Sequence, residues 1–379
     1  MAARTEAAVR VVRVCLICVE FFGWGKYGGF GRTTRYIGRQ LAARGFAVSV
    51  VVPRRAGQAP VERIDGLEVH SYPVTAPWRA IGIFRRCDAD IYHSQEASFA
   101  SFLAQLAMPY RRHVITFRDH KVARDWLVEL RYPSRSRLRT AAAWLWERNP
   151  LVTRAIRRSD LLLCCSPHLP EYLTRLYGLR HPLEVVGTPV HVPAARSRKS
   201  AQPTALFVGR WDRRKRPELF FDMARRFPAA RFVAVGRSQD PTFEAALRDR
   251  YGGVENLELV GFIDQFRDGR LEALYAEAWV LVNTAKREGL PTTFIEALAH
   301  GCSLLSHVNP LGLAERFGYH AAADDFDSGL QALLRDGNWL ERGEAGRRWV
   351  EAHFAEDVVM ARHETLYASL LRSPAMAVR

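Results

Sequence analysis

Lysine is nearly missing from this 379-residue chain: only Lys26, Lys121, Lys199, Lys215 and Lys286 stand among its 55 basic residues. The net charge of +15 therefore rests on arginine, a bias that codon composition produces as readily as selection for a polyanion. No nucleic-acid partner is expected from it. The six cysteines show no metal-ligand spacing: Cys15 and Cys18 fall on opposite sides of an expected strand, and Cys164 and Cys165 lie in an apolar run. All six are expected buried and reduced, with no metal centre. No apolar run approaches the ~18 residues of a membrane span. The first, Val11 to Phe22, is interrupted by Arg13 and Glu20 and lacks the pattern of a signal peptide. It is expected to be the first strand of a cytoplasmic protein. There is no solenoid repeat and no low-complexity tract.

What is present is an alternation of short β-rich runs with stretches of helical period, the pattern of parallel sheets covered by helices. Strands are expected at Val11–Val19, Phe46–Val52, Leu67–Tyr72, Ile91–Tyr92, His113–Thr116 and Leu161–Cys165, with a helix over Gly31–Arg44. A second series is expected at Ala205–Val208, Arg231–Val235, Leu257–Leu259, Val280–Val282 and Ser303–Ser306. Thr188 to Pro203, rich in Pro, Ala, Ser and cations, separates the two. The expected domains are residues 1–187, a linker at 188–203, residues 204–355, and a C-terminal helix and tail at 356–379 crossing back to the first. Two doubly wound α/β domains put a ligand cleft at the carboxyl ends of facing strands.

Three tracts carry chemistry. Gly28, Gly29 and Gly31 lie between the first strand and the first helix, where glycine lets backbone amides approach a phosphate. The tract lacks the G-x-G-x-x-G dinucleotide pattern, which disfavours a nicotinamide cofactor. A strand then runs into Gly209 and Arg210, followed by Arg213, Arg214, Lys215 and Arg216 before Pro217; such cations beside a helix start suit a diphosphate or form a solvated basic turn. In the third tract Glu288 precedes Gly289, Leu290, Pro291, Thr292 and Thr293, which open a helix, and Glu296 is expected about two turns into it. Free amides there accept a phosphate, and flanking carboxylates hold hydroxyls. A nucleotide-sugar offers those groups in that order.

These motifs in this order, with Glu288 and Glu296 separated by seven residues, resemble the retaining glycosyltransferases of the GT-B fold, family 4. Cys165-Ser-Pro-His168 and Gly261-Phe-Ile263 extend the resemblance over nearly the whole chain. It implies two Rossmann-like domains facing across a cleft, and transfer of a hexose-like unit from a nucleotide-diphosphate sugar with retention. Arg210 and Lys215 would hold the diphosphate, Glu288 the transferred sugar, Glu296 the ribose, with Phe262 and Ile263 near the base and no metal required. The acceptor would be a glycan, a lipid-linked sugar or a small molecule.

One position departs from the family. Where a Thr-x-His-Asp-like turn is common, this chain reads Thr116-Phe-Arg118-Asp119-His120. Arg118 cannot act as a base but can bind an anionic group. A binding protein that lost turnover, and an epimerase on the same plan, are the competing readings. Finally, Arg131 to Arg158 sets eight arginines against Glu147 alone and encloses Trp144 and Trp146. That composition fits an interfacial helix on an anionic membrane, and equally an ordinary helix with solvated arginines.

Overall fold

The structure is a computed structural model that describes residues 10–21, 29–132, 149–167, 169–267 and 269–373. Lys26, Gly28, His168, Trp144, Trp146, Glu147 and the arginines at 135, 137, 139 and 148 lie outside the described residues, so the membrane expectation has no structural counterpart there. The chain divides into two compact units. The first comprises Met1–Arg118, Glu147–Val186 and Met360–Arg379; the second comprises Asp119–Trp146 and Gly187–Val359. Residues 119–132 group with the second unit, held by ion pairs described below, and so does the stretch 188–203.

The first unit is built on eight strands: β1 (Arg13–Ile17), β2 (Ala47–Pro53), β3 (Val61–Ile64), β4 (Leu67–Tyr72), β5 (Ile91–Ser94), β6 (Arg112–Phe117), β7 (Leu161–Cys164) and β8 (Glu184–Val185). Their order in the sheet is β3-β4-β2-β1-β5-β6-β7-β8. All neighbours are parallel except β3, which pairs antiparallel with β4 at the edge. β1 and β5 adjoin although β2 lies on the other side of β1, so the chain reverses its winding between them. The helix Gly29–Ala43 begins two residues earlier than its period suggests and ends before Gly45, which takes φ 87°.

The second unit carries β9 (Thr204–Val208), β10 (Arg231–Val235), β11 (Leu257–Gly261), β12 (Val280–Asn283), β13 (Ser303–Ser306) and β14 (Gly318–His320), all parallel, in the order β11-β10-β9-β12-β13-β14. Side chains along a strand alternate between faces, and the core obeys this rule. Ala205, Phe207, Phe232, Ala234, Val280 and Val282 enter one apolar cluster, and Leu206, Val233, Val235 and Leu281 the other. Each fully buried Phe or Leu contributes roughly 1.5–3 kcal/mol over its exposed state. Helix starts follow their sequence signals. Pro217 and Pro241 sit in the first turns of Pro217–Arg226 and Pro241–Tyr251, and Asp240 caps the latter, accepting from the amides of Thr242 at 3.0 Å and Phe243 at 3.2 Å. The last long helix, Glu356–Arg372, runs from the second unit into the first. Five of the six cysteines are buried as expected; Cys87 is partly exposed, because it ends a helix at the surface.

Candidate donor site

In an open parallel sheet the winding reverses at a switch point, and loops at the carboxyl ends of the strands there diverge to leave a crevice. In the second unit that point lies between β9 and β12, the strands that feed the two charged motifs. After β9, the amides of Gly209 and Trp211 continue the strand's hydrogen bonding, donating to the carbonyls of Val235 and Arg237, each at 3.0 Å. This approach requires Gly236, at φ 141°, because a Cβ there would meet the Gly209 carbonyl at 1.8 Å.

Asp212 then folds the cationic loop. Its Oδ1 accepts from the amides of Arg214 at 3.1 Å and Lys215 at 2.9 Å, and its carbonyl accepts from those of Lys215 and Arg216. From the β12 side, the Thr284 hydroxyl donates to the Lys215 carbonyl at 2.6 Å, and the Lys286 amide to the Arg214 carbonyl at 3.0 Å. Arg216 makes a bidentate pair with Asp324, 2.7 Å on each arm, and donates from Nε to the Thr284 carbonyl at 2.6 Å. Lys286 Nζ reaches the same carboxylate at 2.9 Å. The Arg216 hydrogen bonds hold Asp324 well below the usual carboxylate range, with Lys286 adding to the effect against partial burial.

These pairs sort the cations. Arg216 and Lys286 are committed to Asp324. Arg287 is committed too: it is buried, and its guanidinium donates to Asp119 at 2.7 and 3.0 Å, with Asp125 at 3.1 Å and Glu129 at 3.6 Å. Arg214 contacts the same Glu129. Asp125 and Glu129 are four apart on the helix Ala123–Arg131 and so share a face. Burial pushes Asp119 up, yet Arg287 outweighs it and keeps the carboxyl below its ordinary range. Burial likewise opposes the charge on Arg287, and the Asp119 carboxylate more than restores it. Gly289 admits Asp119 here, since a Cβ would meet Asp119 Oδ1 at 2.7 Å.

Lys215 and Arg210 remain nearest the third motif. The Lys215 ammonium contacts the Glu288 carboxylate, which brings together the two motifs 73 residues apart. Burial pulls Lys215 down to about 7, helped by the cations of Arg214 and Arg210 and opposed by Asp212 and Asp119. Arg210 lies 3.5 Å from Asp212 and is partly exposed. Beyond Glu288, Pro291 precedes the helix Thr292–Ala299, whose first amides point away from its own hydrogen bonds. Glu296 is its fifth residue, just over one turn in rather than two, and accepts from the Tyr275 hydroxyl at 2.9 Å. Phe262 is half-buried with the Arg237 guanidinium 5.5 Å above its ring; Ile263 is buried in the apolar cluster, so its side chain packs the core.

In the first unit the switch point lies between β1 and β5. Gly29 opens the helix there and Gly31 donates to buried Glu20 at 3.5 Å. Arg118, at the end of β6, is buried: it contacts the Gln95 side-chain oxygen, approaches Cys165 Sγ at 3.6 Å, and its amide donates to Glu96 at 3.0 Å. Thus Arg118 and Asp119, adjacent in the chain, take partners in different units. His93 is buried between the Thr116 and Tyr367 hydroxyls, 2.6 Å from each. Burial drives it well below the ordinary histidine range, assisted by His363 and Arg118. Sequence reasoning singled out Arg118 but missed Arg287, Asp125 and Glu129; the only local signal was the position of Arg287 next to Glu288.

Two doubly wound parallel-sheet units with charged loops at a switch point define a GT-B-type glycosyltransferase fold. The Glycosyltransferase Family 4 profile matches residues 27–192, and that of Glycosyl transferases group 1 matches residues 202–336. The chain belongs to this glycosyltransferase family. No curated protein matches the sequence. Among solved structures it is similar to sucrose-phosphate synthase from Thermosynechococcus elongatus, with TM-score 0.72, 20% identity, and coverage of 95% of this chain and 99% of that one. Anabaena HepE in complex with UDP-glucose superposes with TM-score 0.69 at 12% identity, covering 94% and 99%. The lipopolysaccharide outer core galactosyltransferase WaaB gives 0.63 at 14% identity, covering 94% and 99%.

Proposed function

We propose that this protein transfers a hexose-like unit from a nucleoside-diphosphate sugar to an acceptor hydroxyl, with retention of anomeric configuration and without a metal. The observation that carries the reading is the contact of Lys215 with Glu288, because it joins a cation suited to a diphosphate to a carboxylate suited to a sugar. Arg214, Arg216, Lys286 and Arg287 pair with Glu129, Asp324 and Asp119, whereas Lys215 pairs with Glu288 itself and Arg210 lies 3.5 Å from Asp212, which makes these two the cations assigned to the leaving group. The solved HepE complexes with UDP and UDP-glucose support this class of donor.

In the proposed reaction the bond between the anomeric carbon and the diphosphate oxygen breaks while the acceptor oxygen bonds to the same face. The acceptor proton passes to the departing phosphate oxygen. Lys215, Arg210 and the first amides of the helix Thr292–Ala299 stabilise the negative charge that develops there. Glu288 with the Gly289 to Thr293 turn holds the sugar, and Glu296, fixed by Tyr275, holds the ribose hydroxyls. The base lies near Phe262 and the Ile263 backbone. The acceptor belongs to surface polysaccharide, glycolipid or natural-product assembly.

A thermal-shift panel of UDP-, GDP- and ADP-sugars, followed by product analysis with and without EDTA, tests the reading, because a ligand that binds only the folded state raises apparent stability. The expected result is one stabilising donor and transfer that survives chelation. Interconversion of free donors without acceptor, or activity restored only by added magnesium or manganese, would overturn it.

A further inference from the structure

The first unit contains a second cluster of reactive groups. β1, β2 and β4 put Cys15 opposite Ser49 and Ser49 opposite Glu68, so these side chains share one face of the sheet. His70, two residues beyond Glu68, lies on the same face. The helix Ala80–Cys87 packs on that face through Ala80, Ile83 and Phe84, in the apolar cluster that contains Cys15. It ends with Cys87, because Asp88 turns the chain at φ 39°. Cys87 consequently packs against the apolar cluster that contains Cys15, over the sheet face that carries Ser49 and His70.

Three features separate Cys87 from an ordinary core thiol. Glu68 Oε1 is 2.8 Å from His70 Nε2, which orients the imidazole; Cys87 does most to favour its protonated form against burial, with Glu68 adding to the effect and Arg86 opposing it. The other ring nitrogen, Nδ1, is buried and has no hydrogen-bond partner, which leaves it able to take up a proton. Cys87 is also the one cysteine of the six that is partly exposed. The neighbouring Cys15 thiol, with His70 and Ser49, holds Cys87 below the usual thiol range against the effect of burial, whereas burial pushes Cys15, Cys18 and Cys302 up and Cys164 up to about 12. The carboxylate–imidazole–thiol series is thus backed by a second thiol on its buried side.

We propose that Cys87 is a peroxide-reactive thiol that closes a reversible disulfide with Cys15. A hydroperoxide is the oxidant. His70 accepts the Cys87 proton, and the thiolate sulfur attacks the terminal peroxide oxygen. The O–O bond breaks, Cys87 becomes a sulfenic acid, and the His70 proton leaves with the departing oxygen as water or an alcohol. The Cys15 sulfur then displaces the sulfenic oxygen, forming the S–S bond and releasing water. Two electrons pass from the thiols to the peroxide, and a reducing dithiol restores both cysteines by exchange.

The test uses the full reduced protein and hydrogen peroxide. The expected outcomes are a Cys15–Cys87 cross-linked peptide by mass spectrometry, reversed by dithiothreitol, and alkylation of Cys87 at pH 7 at least about tenfold faster than that of Cys164 or Cys302. In Cys15→Ala, a sulfenic acid on Cys87 should be captured by dimedone, and His70→Gln should slow Cys87 alkylation several-fold. Because the rate and the cross-link are read on the unaltered chain, misfolding of a variant does not protect the proposal. Cys87 reacting no faster than the buried thiols, or peroxide yielding no Cys15–Cys87 bond, would overturn it.

Discussion

The two units treat polar groups at their strand ends in opposite ways. In the second, charges are matched by charges: Arg216 with Asp324, Arg287 with Asp119 and Asp125, Arg214 with Glu129. At the ends of β5 and β6 in the first, buried side chains meet uncharged groups: His93 is held by two hydroxyls, and the Arg118 guanidinium meets an amide oxygen and a thiol. The same α/β plan therefore yields one rim whose stability depends on keeping cations and one whose stability depends on keeping imidazoles uncharged. Recognition of a charged donor suits the first kind of rim. The second needs only a fixed shape.

The largest expected effect breaks the matched network. Arg287→Ala leaves Asp119, Asp125 and Glu129 without their shared cation, and removing one partner of a buried pair costs about 3–5 kcal/mol. Denaturant unfolding of the variant should show a loss of that order; a loss under about 1 kcal/mol would mean that the network is not buried in solution.

The next concerns the neutral rim. His363, buried beside His93, is lowered to about 3 by burial, with Arg118 contributing. Its folded pKa lies below the unfolded value of about 6.5, so below pH 6.5 the unfolded chain binds the extra proton. Its contribution is full above that pH and declines as pH falls, by about 2 kcal/mol between 6.5 and 5. His93 adds the same sign, as does His300 in the second unit, lowered to about 4 mainly by burial. Unfolding midpoints from pH 7 to 5 should fall, and His363→Gln should flatten that slope; an unchanged slope would contradict the assignment.

Smaller effects address catalysis. Lys215→Ala and Glu288→Gln should each lower transfer at least about tenfold, roughly 1.4 kcal/mol of transition-state stabilisation, measured at saturating donor on folded protein. Wild-type rates in both would remove these residues from the site. The mildest is a pH limb. Lys215 sits near 7 in the free protein, so it loses its proton as pH rises through that value, and kcat/KM for donor should decline on the alkaline side. Lys215→Arg, which keeps its charge, should abolish the decline.

What was legible in the sequence follows from distance along the chain. The charged loops after β9 and β12 could be read because glycine, proline and clustered cations act within one strand-to-helix turn. So could the two sheets, whose strands were placed to within a few residues. β3, β8 and β14 were missed: each is a short strand at or near a sheet edge, where few buried residues mark a pattern. The network around Arg287 was invisible because its acidic partner Asp119 is 168 residues away. His93 and Tyr367 are 274 apart. Local pattern shows where cations cluster, but only the fold decides which carboxylate each of them faces: Lys215 the Glu288 of the third motif, Lys286 the remote Asp324.

That distinction is the central claim, and titration calorimetry with nucleoside diphosphates tests it most directly. One diphosphate should bind the wild-type protein, Lys215→Ala should weaken it at least about tenfold, and Lys286→Ala, whose cation is bound to Asp324, should change it less than about threefold. Equal losses in both variants, or none in Lys215→Ala, would contradict the account.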